Sequence, residues 1–571
     1  MRSRLAKNRL VLASVVLYFL SLIITKFDVD FNYRWIDLGI YILSIGIIVF
    51  EYLKKTVDFK KIINLPRKEK ISFTIISLVA IFISLLFIKI YPFVSVGDGV
   101  RDAGLDGFNI YNGTIKNFFG YDVHYGSHGN IIPLLVSFFY PIFGSSVLTY
   151  RIPSAIIFCL DAIFLYILLR LLTKRSAAFL GSLVYILFPL HIFMARIELV
   201  LIFNSFWTSV MFLGLYFWLK RRRTIDYIFL GTVLGITTTF HTSVRVVAIL
   251  ILIIVFLIEI KNKFNKNIFN IILLGVFGLV GFGPMLIYSN SETFFQNNRS
   301  VLINKNPCIM NYAPPINKLE TIKNNYKKSL MVWFYEGTTS RYPEHKPILP
   351  PFLALFFVIG IGYAFFILKK PFYNILILLV FLLPFTNSAM TDWVNADHRL
   401  APLLPIAAIF IALGFSYITK QIHNKIGKIL LLVIVLLYLV VQNYKFFTLL
   451  PANYGYNIKD YLSMHIIYFI KINDDYLNSK NLCLYVSNQN KENLNLMHYN
   501  EQYEFFLPNN SIKIKSSKNI NEDEAYILKG NCENYENESK MGMGKFVINC
   551  SSEMNFYCPQ NYEGEIKIYY Q

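Results

Sequence analysis

Residues 147–172 read VLTYRIPSAIIFCLDAIFLYILLRLL, and only Arg151, Asp161 and Arg170 in that run carry charge. A helix that crosses a bilayer needs about 20 predominantly apolar residues. Helices of soluble domains average only about 11–12 residues. The run ends at Lys174 and Arg175, cations of the kind that flank spans on their cytoplasmic side. Twelve further runs share this character: 9–25, 37–53, 71–90, 176–193, 199–219, 225–241, 244–260, 267–288, 349–368, 371–388, 399–419 and 427–447. The breaks within 176–219 and 225–260 are very short.

Composition agrees with that reading. Of the 571 residues 55% are hydrophobic and 16% charged. Soluble chains hold about 45–50% apolar and about 25% charged residues. A soluble globular enzyme, a disordered chain and a disulfide-dense secreted domain are thereby excluded. The fold class expected is a polytopic α-helical membrane protein of about thirteen helices.

The net charge of +20 is unevenly spread. Residues 451–571 carry −4, so the first 450 carry +24. The excess sits in short connections: Arg2 to Arg9, Lys54 to Lys70, Arg170 to Arg175, Lys220 to Arg223, Lys261 to Lys266, Lys369–Lys370 and Lys420 to Lys428. Such placement follows the positive-inside rule and argues against a nucleic-acid partner. With the N-terminus cytoplasmic, thirteen spans put all these groups inside and the tail outside. The first run lacks a small-residue cleavage site and reads as a signal anchor.

The organisation expected is therefore residues 1–70 as two spans and a basic loop, 71–450 as a membrane core with outer loops 91–146 and 289–348, and 451–571 as a small extracytoplasmic α/β domain. Within the tail, DYLSMHIIYFIKI (460–472) patterns as a helix and NLCLYVS (481–487) as a strand. Cys483, Cys532, Cys550 and Cys558 lie there, and four thiols in an oxidising compartment allow three connectivities. Cys159 lies in a span and Cys308 in an outer loop. Asn112, Asn298, Asn509, Asn537 and Asn549 head N-x-[ST] sequons, usable only in the outer topology.

Polar chemistry gathers on the outer face. The first outer loop holds Asp98, Arg101, Asp102, Asp106, Asp122, His124 and His128, interleaved with glycines from Gly97 to Gly129. Further groups fall at span ends: Arg196 and Glu198, His241 and Arg245, then Arg341, Glu344 and His345, and Asp397, His398 and Arg399. Lone arginines at span ends commonly snorkel to headgroups. Four clusters on one face suit a lipid phosphate, which guanidinium grips in a bidentate, charge-assisted way. Asp161 lies inside a span, where a carboxylate is functional by default or is paired with a neighbouring helix. Gly231 and Gly235 form a GxxxG, read as helix packing.

RDAGLDGFNIY (101–111), GYDVHYG (120–126) and IFGSSVLTYRIPSA (142–155) follow one another, and MARIE, FHTSVR, FYEGTTSRYPEHK and DHRLAPLLP come later in order. Over about residues 71–420 this series resembles the dolichyl-phosphate-mannose:protein mannosyltransferase and aminoarabinose transferase group, membrane glycosyltransferases of the C superfamily. Members often read D-E-A, then G-Y-N-x-Y, then G-x-D-x-x-G, then an IFG…R-x-P-S-A segment. Asp102 matches the family aspartate, but Ala103 stands where the glutamate is usual.

The resemblance implies a GT-C-like core that transfers a sugar from a polyprenyl-phosphate donor to a hydroxyl of a protein, glycan or lipid acceptor, with inversion, in the plasma membrane. Such a displacement needs a base for the acceptor proton and a cation for the departing phosphate. Asp102 is the base expected, with Asp122 second. Arg245, Arg341 and Arg399 are the phosphate candidates, and Arg196 is a further substrate-binding candidate. Glu198 and His128 would position the acceptor or hold a divalent ion, for which His and carboxylate are suitable ligands, and His398 is a further substrate-binding candidate; no spacing identifies a metal, so metal and cofactor stay open. No nucleotide-phosphate glycine motif occurs, in keeping with a lipid-linked donor. The alternatives are a transporter or flippase of lipid-linked sugars, which would show polar groups at mid-bilayer and interrupted helices, and a non-catalytic relative. An oligosaccharyltransferase subunit ranks low, because the tail has no WWDxG.

Overall fold

The computed structural model describes residues 9–28, 30–56, 66–86, 88, 103–120, 129–197, 199–261, 264–288, 318–337, 347–390 and 394–453, and five strands between 481 and 570. Among these residues nine helices are long and apolar enough to cross a membrane: Arg9–Phe27, Arg34–Thr56, Val147–Leu172, Leu201–Arg221, Thr242–Lys261, Pro351–Leu368, Pro371–Ala389, Leu403–Gln421 and Lys425–Tyr444. A tenth would be the pair Arg175–Ile186 and Pro189–Arg196, bent by 51° at its break. The chain is a polytopic helical membrane protein. The remaining apolar runs of the sequence also fall on helices, but Thr224–Thr237 and Ile268–Phe282 are short, and Arg67–Leu85 opens on the charged turn RKEK.

The break in the bent pair has a local cause. Pro189 has no N–H to donate to the Tyr185 carbonyl, and its ring disfavours helical geometry at Phe188. The carbonyls so released find other donors. Asn443, from the Lys425–Asn453 helix, donates its Nδ2 to the Leu187 oxygen at 2.8 Å.

Helices meet most closely where glycines face each other. A methyl at Gly231, Gly235 or Gly281 would run into the backbone oxygens of Leu274, Gly278 and Thr232 respectively, so the 224–237 and 264–282 helices touch backbone to backbone. Gly360 and Gly414 join the 351–362 and 403–421 helices in the same way, against Phe410 and Phe356. Leucines and phenylalanines on the outward faces of the first two helices, such as Leu12, Phe19, Leu43 and Phe50, stay exposed, as lipid-facing residues must.

The bundle has two ends. One carries short basic turns. There Arg170 grips Glu69 bidentately, Nε to Oε2 at 3.0 Å and Nη2 to Oε1 at 2.5 Å, and holds that carboxyl below its usual range. Arg221 donates to Asp226 (2.5 Å) and to the Tyr52 hydroxyl (3.0 Å), and Tyr52 stacks on Phe229. The other end carries the two long connections. Trp35 meets Phe118 edge-on at 4.6 Å, Tyr41 meets Phe119, and the Tyr41 hydroxyl donates to the Gly281 oxygen at 2.7 Å. The first two helices thus brace the first long loop.

In the tail, NLCLYVS forms β1 (Asn481–Ser487). It is joined by β2 (Ser511–Ser517), β3 (Glu524–Lys529), β4 (Gly544–Cys550) and β5 (Gly564–Tyr570) in one sheet of order β2-β1-β3-β5-β4. The β1/β2 and β3/β5 pairs are parallel, and β1/β3 and β4/β5 antiparallel. The helix expected at 460–472 lies outside the described residues.

Candidate functional site

The site develops where the 67–85 helix runs out toward the first long loop. Its last carbonyls have no partner within the helix, and the carboxyl end of a helix favours cations. Two arginines arrive there from elsewhere in the chain. Arg196, 1% exposed, donates its Nη2 to the Ile83 oxygen (2.6 Å) and the Leu86 oxygen (2.5 Å). Arg151, also 1% exposed, donates its Nη1 to the Ile88 oxygen at 2.9 Å. Both guanidiniums are thus committed to the mouth of the first loop. Beyond it Ala103, Leu105 and Asp106 are buried, and Asp106 opens the short helix Asp106–Tyr111.

The same loop is fastened again at its far side. Asn130 takes hold of the loop twice, its N–H on the Gly120 oxygen (2.9 Å) and its Nδ2 on the Asn117 oxygen (2.8 Å). The Gly129 N–H donates to the Thr239 oxygen at 2.8 Å. A side chain at Gly129 would push against the end of the Met285 side chain, which would have to turn aside. Thr239 lies just before His241, whose Nδ1 lies 2.9 Å from the Ser243 hydroxyl, and before the helix that bears Arg245.

Asn387 joins this region to the last cluster. It sits in the wide turn Phe385–Ala389, and its Nδ2 donates to the Ser243 oxygen and to the Arg399 oxygen, both at 3.1 Å. One amide group thus ties together the backbones of two segments, one bearing Arg245 two residues past Ser243 and the other bearing Arg399, whose side chains are 8% and 9% exposed. Next to it, Ser388 accepts the Asn395 N–H at 2.7 Å and shares a hydrogen bond of 2.7 Å with Ser329. Asn395 adopts φ 59°, a left-handed conformation that Asn tolerates better than most residues. Ser329 belongs to the helix Lys318–Met331 of the second long connection, so both long connections and the 385–400 segment share one end of the bundle.

Of the residues singled out in the sequence, Arg196, Arg245 and Arg399 are described and lie at this end. Asp102, Asp122, His128, Glu198 and Arg341 lie outside the described residues, as does the side chain of His398, whose backbone is in the helix Asp397–Leu400. Among the described residues no three His, Cys, Asp or Glu side chains gather as metal ligands would. Sequence reasoning quoted Arg151 within its motif without giving it a task, and missed Asn387, Ser388, Asn395 and Ser329. Nothing in the local pattern marks these four, because they act on backbone groups distant in sequence.

Asp161 has its partners on neighbouring helices. Its Oδ2 accepts the Tyr185 hydroxyl (2.6 Å) and faces His191 Nε2 (3.2 Å), and its Oδ1 accepts the Ser209 hydroxyl (2.7 Å). All of these groups are buried.

The comparison with protein families bears out the resemblance read from the sequence. Residues 127–288 match the family model described as dolichyl-phosphate-mannose-protein mannosyltransferase. No curated protein matches the chain. The matched region holds Arg151, Arg196 and Arg245, together with the Gly129–Thr239 fastening. Family and helices together mark a membrane glycosyltransferase-like protein.

Proposed function

We propose that the chain transfers a sugar from a polyprenyl-phosphate donor to an acceptor hydroxyl at the end of the bundle that bears the long connections. The observation that carries this reading is the bridge at Asn387, which anchors two buried arginine-bearing segments beside the fastened first loop. Clustered guanidiniums suit a departing phosphate in a water-poor site, where charge stabilisation is strongest.

In the reaction the acceptor oxygen bonds to the anomeric carbon as the bond from that carbon to the phosphate oxygen breaks. The electron pair leaves with the polyprenyl phosphate, and the configuration inverts. Asp102 takes the acceptor proton, with Asp122 as the second candidate. Arg245, Arg399 and Arg341 hold the leaving phosphate. Arg196 and Arg151 hold the loop that presents the base. Glu198, His128 and His398 orient the acceptor, or hold a divalent ion that would share the phosphate charge.

The proposal extends to topology. All thirteen apolar segments cross the plasma membrane, the N-terminus is cytoplasmic, and the catalytic end and the 451–571 domain face outward. Lipids cover the apolar flanks, and the acceptor is a protein, glycan or lipid.

The test is sugar transfer in reconstituted membranes from a panel of polyprenyl-phosphate sugars, comparing wild type with Asp102→Asn at matched expression. Transfer by wild type and its loss in the variant, with donor binding kept, supports the reading. Equal activity moves the base to Asp122. Movement of lipid-linked sugar across the bilayer without transfer supports the flippase instead.

A further inference from the structure

The polar cluster around Asp161 lies deep in the bundle, away from the proposed site, and unites four helices: 147–172, 175–186, 189–197 and 199–221. Its hydrogen-bond geometry fixes its proton content. His191 Nδ1 lies 3.0 Å from the Tyr185 carbonyl oxygen, which can only accept, so Nδ1 carries a hydrogen. That carbonyl is the one Pro189 leaves without its helical donor. The other ring nitrogen, Nε2, faces Asp161 Oδ2 at 3.2 Å. Two lone pairs cannot meet there without repulsion, so a second hydrogen lies between them. It belongs to an imidazolium facing a carboxylate, or to a carboxylic acid facing a neutral ring. Both forms are neutral as a pair, which is how an ionisable pair survives in a bilayer interior. The Tyr185 hydroxyl also donates to Oδ2 and the Ser209 hydroxyl to Oδ1, and the His191 ring packs on Tyr185 and Phe158 at centroid distances of 4.0 and 4.6 Å.

His191 stands two residues past Pro189, and Arg196 ends the same short helix. We propose that Asp161 and His191 hold one shared proton, and that this neutral pair is the pin that sets the 51° bend and seats Arg196 on the carboxyl end of the 67–85 helix. Asp161 and His191 are thus positioning residues for the first long loop, acting through Arg196. The inference holds whichever reaction that end of the bundle performs, and its test does not depend on activity.

Two measurements on the full chain in lipid nanodiscs test it. In nitrogen-15 histidine spectra, with the His191 signals assigned by their loss in His191→Gln, Nδ1 is expected to be protonated and Nε2 to share a proton. A bare Nδ1, or a bare Nε2 with no proton in the contact, overturns the shared proton. Hydrogen exchange reads the pin. The amides of Leu86 and Ile88, which close the end of the 67–85 helix, should exchange about tenfold faster in Asp161→Asn, the factor that corresponds to about 1.4 kcal/mol. Amides of the 403–421 helix should not change. Tyr185→Phe removes one donor to Asp161 and keeps the pair, so it should give the same pattern at smaller amplitude, and it decides the matter where Asp161→Asn does not fold. Unchanged exchange at Leu86 and Ile88 in the folded variants overturns the pin.

Discussion

Asn387→Asp changes one NH2 to an oxygen at almost constant volume, and the structure makes it a severe substitution. In the native chain Nδ2 donates to the Ser243 and Arg399 carbonyls at 3.1 Å each, in a site where Asn387 is 4% exposed. Aspartate puts a carboxylate oxygen against both carbonyls. It forfeits two hydrogen bonds of about 0.5–1.5 kcal/mol each and sets a buried carboxylate oxygen against two carbonyl oxygens, for a total of about 2–4 kcal/mol. At about 1.4 kcal/mol per tenfold, the arrangement that holds Arg245 and Arg399 together loses a factor of about thirty to several hundred. Protonating the new carboxyl restores at most one of the two bonds. The assay is thermal unfolding in nanodiscs, together with binding of a polyprenyl phosphate to the reconstituted protein. Asn387→Asp should melt lower than wild type and no higher than Asn387→Ala, and its affinity for the phosphate should fall with the stability of the bridge. Wild-type melting and affinity in Asn387→Asp would refute the reasoning, since packing alone would then suffice at this position.

Three further outcomes follow from the same geometry. Gly235→Leu should destabilise the 224–237/264–282 pair by about 1–3 kcal/mol through overpacking against the Gly278 backbone, and Gly275→Ala, where nothing lies near the added methyl, should leave the melting temperature within about a degree of wild type. Glu69 is held below its ordinary range by the Arg170 hydrogen bonds, so its contribution of about 1 kcal/mol or less is present above the unfolded carboxyl pKa of about 4.3 and is lost as pH falls through the lower folded value; Glu69→Gln should flatten that acid-side drop in melting temperature. In the tail, Cys483 on β1 and Cys550 on β4 are separated by β3 and β5, hence by about 14 Å at about 4.8 Å per strand, beyond the reach of a disulfide; non-reducing peptide mapping should find no Cys483–Cys550 bond.

What the sequence made legible was what depends on local composition. Runs of about 20 apolar residues must become helices in lipid, because no other open structure satisfies the backbone there. GxxxG at Gly231 and Gly235 could be read as a packing surface because close approach needs an absent side chain, and NLCLYVS could be read as a strand from its pattern. The partners of Asp161 could not be read. A carboxylate in an apolar run shows that something must compensate it, but Tyr185, His191 and Ser209 reach it only after three further helices have packed. Asn387 is more hidden still, since it serves two carbonyls, and any residue has a carbonyl. Arg196 stands at a span end, which suggests a role in substrate binding, but no local pattern shows that its Nη2 also meets the carbonyls of Ile83 and Leu86, more than a hundred residues earlier in the chain.

The interrupted helix bears on the choice between moving a sugar to an acceptor and moving a lipid-linked sugar across the bilayer. Transporters break helices so that the freed backbone groups and nearby charges can hold cargo near the midplane. This chain has such a break, with an ionisable pair beside it. The freed groups, however, are occupied from within. The Tyr185 carbonyl meets His191, the Leu187 carbonyl meets Asn443, and Asp161 receives Tyr185 and Ser209, all in a buried setting. A break whose released carbonyls and carboxylate are met by the chain's own donors behaves as a joint rather than as a binding site. The arginines, by contrast, lie at the end of the bundle where the long connections are fastened. If the break served cargo, replacing Asn443 with Leu would impair movement of lipid-linked sugar and leave the Leu86 and Ile88 amides as protected as before. If it is a joint, Asn443→Leu should loosen the bend and speed exchange at those two amides, as the loss of Asp161 does. Protection unchanged at Leu86 and Ile88, together with impaired movement of the lipid-linked sugar, would sink the joint and revive the transporter.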